Sequence, residues 1–317
     1  MRSVSLFRRL VKLIGLILLS ILISAVIILG TVIGVSYLQN REFKETFYEV
    51  TSNKVEEGLR IIQISDLHAV HYDHLVSRIQ ELKPDLIVLT GDIVDCHTQD
   101  DSAVVATCGQ LAQTAPTYYI YGNHERERQF GSDMLKEDVA RLAQKHGVEE
   151  EELVFSALPD PLREKMEAAG VDVLMNEQAT LQVRNTTVDI YGVLTTSSSG
   201  FYKYAENSFY PYAYGDEDHF KLMLIHEPYL MDIVTVEDWG DLILCGHTHG
   251  GVARLPFIGG VYEDAHGIFP EFLSDGKVMG QYSVQGIPMI ISSGLSNLDI
   301  WRINNQPELV IVDINRY

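Results

Sequence analysis

Leu59-Arg60-Ile61-Ile62-Gln63-Ile64-Ser65-Asp66-Leu67-His68 joins a mostly apolar, isoleucine-rich run to a carboxylate and an imidazole two residues apart. The run reads as a buried strand, because β-branched side chains fit a pleated surface covered on both faces. The Asp-x-His falls where that strand ends, which is where ligands collect in parallel α/β sheets. The same grammar then repeats. Leu75, Ile79 and Leu82 have helical spacing and stop at Lys83-Pro84, Asp85–Thr90 is a second strand, and Gly91-Asp92 follows it. Ala103–Ala112 reads as a helix and Thr117–Tyr121 as a third strand, followed by Gly122-Asn123-His124-Glu125. This alternation predicts a parallel α/β half.

Beyond residue 171 the pattern turns strand-rich, with runs at Val171–Met175, Ala179–Val183, Val188–Val193, Lys221–Ile225, Asp241–Cys245, Pro288–Ser292 and Glu308–Ile314. Few helices intervene, so a second sheet packed on the first with helices outside is expected. His226 and Gly246-His247-Thr248-His249 each follow one of these runs. Met134–His146 and Pro161–Ala169 read as surface helices around the acidic run Glu149–Glu152, forming a solvated insertion or a substrate-selecting cap. Residues 197–219, with Tyr202, Tyr204, Tyr210, Tyr212 and Tyr214, read as an aromatic loop.

Charge divides the chain. Net charge is −20, yet the first 41 residues hold Arg2, Arg8, Arg9, Lys12 and Arg41 and no acid, leaving −25 on residues 42–317. So acidic a body repels polyphosphate backbones, and no nucleic-acid partner is expected. Leu13–Gln39 holds no charged residue and is long enough to span a bilayer at helical rise. Basic residues crowd its amino-terminal side, which predicts a single-pass anchor in the cell membrane with the tail cytoplasmic and the domain extracytoplasmic. A cleaved signal is the alternative, with Gly34-Val35-Ser36 as a small-residue site. The expected division is 1–40 tail and anchor, 41–58 linker, and 59–317 domain. Cys96, Cys108 and Cys245 make no disulfide framework.

The residues at the strand ends supply carboxylate oxygen, amide oxygen and imidazole nitrogen, and no thiolate. Asp66 and His68 share one turn, Asp92 has two oxygens with which to bridge two ions, and Asn123 offers an amide oxygen. His226 and His247 complete one ion's shell and His249 the other's. That mixture suits two divalent cations such as manganese, iron or zinc; calcium wants more oxygens and magnesium fewer imidazoles. The commonest use of such a pair is hydrolysis of a phosphate ester.

The five blocks Asp66-Leu67-His68, Gly91-Asp92, Gly122-Asn123-His124-Glu125, His226 and Gly246-His247-Thr248-His249 resemble, in type and order, the calcineurin-like metallophosphoesterases. The resemblance implies a four-layer α-β-β-α sandwich of two mixed sheets. It also implies a dinuclear site, with Asp66, His68, Asp92 and His249 on one ion and Asp92, Asn123, His226 and His247 on the other. The anchor, Gly250-Gly251-x-x-Arg254-Leu255-Pro256 and Pro307-Glu308-Leu309-Val310-Ile311 are similar to the membrane-anchored bacterial branch, related to UDP-2,3-diacylglucosamine hydrolase-like phosphoesterases. Cys96 departs from the protein Ser/Thr phosphatase pattern, which has a phosphate-gripping arginine there. Leu194-Thr195 also departs from the branch, which often reads Asp after Gly-Val.

The expected chemistry is hydrolysis of a phosphomonoester or phosphodiester, on a small molecule or a lipid, by a hydroxide bridging the ions. His124 is placed to protonate the departing oxygen, Asp95 to orient His124, and Arg254 to contact the phosphate. A pyrophosphohydrolase acting on a nucleotide-linked lipid such as a UDP-sugar lipid is the first rival. A non-catalytic membrane-bound scaffold is the second.

Overall fold

A computed structural model describes residues 2–130, 144, 160–194, 216–232, 240–296 and 302–317. All but residue 144 of the expected helix at Met134–His146, the acidic run Glu149–Glu152 and most of the tyrosine loop lie outside the described residues.

Two six-stranded mixed sheets pack face to face. In the first, β1 (Lys44–Thr51), β16 (Glu308–Asn315), β2 (Leu59–Ile64), β3 (Leu86–Thr90), β4 (Thr117–Ile120) and β5 (Asp172–Val173) are neighbours in that order. In the second the order is β14 (Gly280–Val284), β15 (Ile287–Ile291), β9 (Leu242–Cys245), β8 (Phe220–Ile225), β7 (Thr186–Val193) and β6 (Glu177–Val183). The strands from β2 to β5 are parallel, as are β7, β8, β9 and β15. Parallel strands put their carboxyl ends, and the loops that follow, along one edge.

Alternation along each strand explains the layers. Ile61, Leu86, Val88 and Ile120 point between the sheets and meet Leu222, Leu224 and Leu244 there. Ile62, Ile64, Ile87 and Leu89 point outward, beneath α2 (Leu75–Leu82), α3 (Ser102–Ala112) and α5 (Pro161–Ala168), through Ile79, Leu111 and Met166. A strand buried on both faces needs a near-continuous apolar run, and that is how these segments read. The fold is thus the expected α/β sandwich of two mixed sheets with flanking helices.

The span 41–58, expected as a linker, contains β1. All eight of its residues pair parallel with Glu308–Asn315. Its polar composition concealed it: β1 is an edge strand whose Val50 alone is fully buried. Polar side chains suit such an edge, and here Thr46 Oγ1 donates to Glu308 Oε1 at 2.5 Å.

Helix α1 (Arg2–Gln39) includes 33 residues, Phe7–Gln39, long and apolar enough to cross a membrane. Its last turn docks on the domain. Ser36 Oγ accepts the Asn304 N–H at 2.9 Å, and Asn40 Nδ2 donates to the Arg302 carbonyl at 2.7 Å.

Asp101 ties three helices together. Its carboxylate accepts from Arg128 Nη2 at the end of α4 (Asn123–Phe130) at 2.8 Å and from Lys165 Nζ of α5 at 2.7 Å. Burial works against its ionisation, but Lys165 and Arg128 hold its pKa below the ordinary aspartate value. A depressed folded-state pKa gives stability that is complete above about pH 4 and is lost as pH falls through the folded value. Asp101→Asn is therefore expected to cost roughly 1 to 2 kcal/mol near neutral pH. Urea unfolding of both proteins, repeated at falling pH, checks that the gap narrows.

Candidate metal centre

Every ligand-type residue singled out in the sequence leaves a strand at the same edge. The loops are stitched together by their backbones: Asp66 N–H donates to the Gly91 carbonyl at 3.0 Å, His68 N–H to that of Asp92 at 2.9 Å, and Gly246 N–H to that of His226 at 3.0 Å. The turns are tight enough to force five of these residues into left-handed backbone: Asp66 (φ 50°), His68 (48°), Asp92 (52°), His247 (72°) and His249 (46°). Each such residue costs on the order of 1 kcal/mol or more, a strain that persists where surrounding contacts over-determine it. Gly91, at φ 92°, could carry no side chain, since a Cβ would stand 2.4 Å from His226 Nδ1. At Gly246 a Cβ would strike Ser65 Oγ, and Asp66 Oδ2 at 2.5 Å.

Asp92 lies at the middle. Its Oδ2 is 3.1 Å from His226 Nε2, 3.8 Å from His68 Nε2 and 3.9 Å from His124 Nε2. On one side, Asp66, His68 and His249 bring ligand atoms within 4.8 Å of one another. On the other, Asp92, His226 and His247 do the same, and His247 Nδ1 is 3.0 Å from Asn123 Oδ1. The structure therefore gathers all seven proposed ligands into two adjoining groups that meet at Asp92.

These groups fit divalent cations on physical grounds. The Nε2 atoms of His68 and His226 are buried and face nothing that binds them but Asp92 Oδ2. Buried polar atoms are rarely left so unless something else binds them. The opposite nitrogens are committed: His226 Nδ1 donates to the Thr90 carbonyl at 2.7 Å, and His68 Nδ1 faces Asp95 Oδ2 at 3.3 Å. Each ring thus turns its Nε2 toward Asp92, the arrangement outer hydrogen bonds impose on metal-binding imidazoles. Burial opposes charge on His226, yet Asp92 pushes its pKa up to about 10. Burial, and then Arg302, hold His249 well below the ordinary histidine value, so that ring is neutral, as a ligand must be.

His124 stands beside the centre, partly open to solvent at 26% exposure. Its Nδ1 has two neighbours of opposite kind: Asp95 Oδ2 at 3.1 Å, which accepts, and the Cys96 N–H at 3.3 Å, which donates. The ring is therefore supported with or without a proton on Nδ1. Asp95 is held below the ordinary aspartate value despite burial by the His97 N–H and the two imidazoles of His124 and His68. Arg254 is engaged elsewhere. Its guanidinium donates to the Gly250 carbonyl at 2.8 Å and to Glu271 Oε1 at 2.9 Å, which makes it a clamp on the loop beyond the histidine pair.

Three residues escaped the sequence reading. Glu125 is buried and accepts from five donors: the backbone N–H groups of Asp92 (2.9 Å), Ile93 (2.6 Å), Val94 (3.0 Å) and Gly122 (2.9 Å), and the Tyr119 hydroxyl (2.6 Å). It buckles the loop after β3 to the loop after β4. Arg126 pairs in the interior with Glu227, next to His226, at 2.8 Å. Arg302 is fully buried with Nη2 3.2 Å from His249 Nδ1. Of these, only Glu125 carried a signal, its place after Asn123-His124.

Comparison with known proteins agrees with this geometry. The family model of the calcineurin-like phosphoesterases matches residues 59–251. Phosphodiesterase YaeI of Escherichia coli (strain K12) is 26% identical over 264 residues, covering 80% of this chain and 82% of that protein. The metallophosphoesterase YkuE of Bacillus subtilis (strain 168) is 26% identical over 288 residues, covering 87% and 86%. A bovine (Bos taurus) transmembrane protein with metallophosphoesterase domain is 27% identical over 255 residues, covering 74% of this chain and about half, 51%, of that one. Since the family model spans more than half of the chain and all five ligand-bearing loops converge on one edge, the protein belongs to the calcineurin-like phosphoesterases and is a metallophosphoesterase.

Proposed function

We propose that this metallophosphoesterase hydrolyses a phosphomonoester or phosphodiester at a centre of two divalent cations, manganese, iron or zinc. Asp66, His68, Asp92 and His249 would hold one, and Asp92, Asn123, His226 and His247 the other. The observation that carries this reading is the position of Asp92 Oδ2, with buried imidazole nitrogens of both groups turned to it at 3.1 and 3.8 Å. Bound there, the cations would supply Lewis acidity toward phosphoryl oxygens and make a water acidic enough to attack near neutral pH. The chain's own residues do the rest. His124 carries a proton at Nε2 to the departing oxygen, and Asp95 supports the charged ring through Nδ1 and orients His68 with the same carboxylate. Helix α1 anchors the protein in the cell membrane, with a catalytic unit running from β1 to β16 on the extracytoplasmic side.

The test uses the full chain purified in detergent. Metal analysis is expected to find about two cations per chain after loading, and a phosphoester panel with manganese added back is expected to show hydrolysis that chelator removes. Metal-independent turnover, or none on any ester, would overturn the proposal. In the same panel, His124→Ala is expected to slow alkyl esters about 100-fold more than p-nitrophenyl esters, whose leaving group needs no proton. Equal losses would remove His124 from that role.

A further inference from the structure

One short segment joins the foot of α1 to the metal centre. Asn304 and Arg302 bond to Ser36 and Asn40 of the helix end. From the same segment, Asn305 Nδ2 donates to the His249 carbonyl at 2.7 Å, and Arg302 Nη2 lies 3.2 Å from His249 Nδ1. The chain beyond the histidine pair also lies against it: Arg254 N–H donates to the Ile303 carbonyl at 2.9 Å, and Asn304 Nδ2 to the Arg254 carbonyl at 3.3 Å. From there, β10 (Arg254–Leu255), β11 (Gly259–Gly260), β12 (Tyr262–Glu263), β13 (Gly267–Ile268) and α6 (Pro270–Leu273) form one block. Glu271 binds it together, taking Arg254 Nη2 at 2.9 Å and the Gly260 N–H at 2.5 Å.

This block is where the body exposes its grease. Among the described residues outside α1, eight large apolar side chains are exposed, and six of them belong to it: Leu255, Phe257, Tyr262, Ile268, Phe272 and Leu273. Phe257, at the tip of the β10–β11 turn, is fully exposed. A concentration of this kind beside polar surroundings marks an interaction surface rather than chance exposure.

Its height above the membrane follows from helix geometry. The uncharged stretch of α1 begins at Leu13. At about 1.5 Å per residue, the roughly 30 Å hydrocarbon core is crossed in about 20 residues, near Val32. Ser36 lies one turn further on, at the level of the lipid headgroups, and the block is one hydrogen-bonded segment away from it.

We infer that residues 254–273 are a second membrane contact, resting their apolar side chains among the headgroups of the bilayer that α1 crosses. The inference rests on the anchoring role proposed for α1. Its occupant is a lipid surface, because the patch adjoins the point where the chain leaves the membrane. The contact places the loop of His249 beside the bilayer and gives the Arg254–Glu271 pair its purpose, holding the block in shape.

The full chain is reconstituted in phosphatidylcholine vesicles with and without bromine on the upper acyl chain. The difference in emission between each variant and wild type isolates the new indole from Trp239 and Trp301. F257W and F272W are expected to emit further to the blue and to lose most of that emission in brominated vesicles. F47W, on the β1 edge, is expected to lose little. Flotation with the vesicles is read first and reports on α1 separately: a chain that does not float overturns the anchor and the contact with it. If the chain floats but 257 and 272 behave like 47 and stay open to acrylamide, the contact alone is wrong. Shielding from both bromine and acrylamide would also overturn it, since a second copy would then be the occupant.

Discussion

Asp92→Asn is expected to lower kcat/KM on any phosphoester by about 1,000-fold or more, and to reduce the metal retained after gel filtration. The substitution keeps shape and removes charge. Asparagine tolerates left-handed backbone better than most residues, so the φ of 52° at this position survives the change. Its amide oxygen also keeps an acceptor for the His124 N–H, which Asp92 Oδ1 takes at 2.9 Å. A neutral amide, however, could not balance the two cations proposed for this centre. It also removes the anion that pushes His226 up to about 10 in the metal-free protein. Circular dichroism should therefore be unchanged while turnover and bound metal fall together. Wild-type turnover in the variant would place the chemistry elsewhere.

Glu125→Ala is expected to be the most destabilising single change near the centre. It would strip partners from four backbone N–H groups and the Tyr119 hydroxyl, all in the interior. A buried unsatisfied donor costs about 1 to 3 kcal/mol, and partial relaxation leaves a total on the order of 4 kcal/mol. For a domain of this size that corresponds to a fall of about 10 °C in Tm. Burial and Asp92 push the Glu125 pKa up, whereas the Tyr119 and Val94 donors work to keep it ionised. Glu125→Gln should accordingly be intermediate, because its amide nitrogen turns one set of donors against another. Thermal unfolding of the three proteins, with and without manganese, measures this. An unchanged Tm in both variants would show that the two loops hold their places without the glutamate.

The strands that carry the centre were legible because each is buried on both faces. Such strands demand runs like Leu59–Ile64 and Leu86–Thr90, and the chemistry begins where the runs stop. The convergence of the proposed ligands was legible for a related reason, since the strand ends that bear these carboxylates and imidazoles share one edge. Edge strand β1 was not, because Lys44, Glu45, Thr46 and Glu49 look like solvated linker until β16 is beside them. Arg302 was opaque for another reason. Its role depends on which loops the fold closes over it, and nothing in its immediate neighbours encodes that, whereas Glu125 at least stood in the Gly122-Asn123-His124 motif. Arg254 shows the converse: its place after the histidine pair suggested a phosphate, and nothing in that place foretold its pairing with Glu271, seventeen positions along.

The place of β16 between β1 and β2 has a consequence for biosynthesis. A ribosome makes this strand after every other strand of its sheet, yet it is the one that joins β1 to the rest. Until residues 308–315 emerge, β1 has no neighbour and the isoleucine-rich β2 presents a bare edge, the kind that recruits other chains. Closing contacts of such long sequence separation are slow to form. A stall or nick ahead of Glu308 would therefore leave a fragment with an unpaired β1 and an open β2 edge.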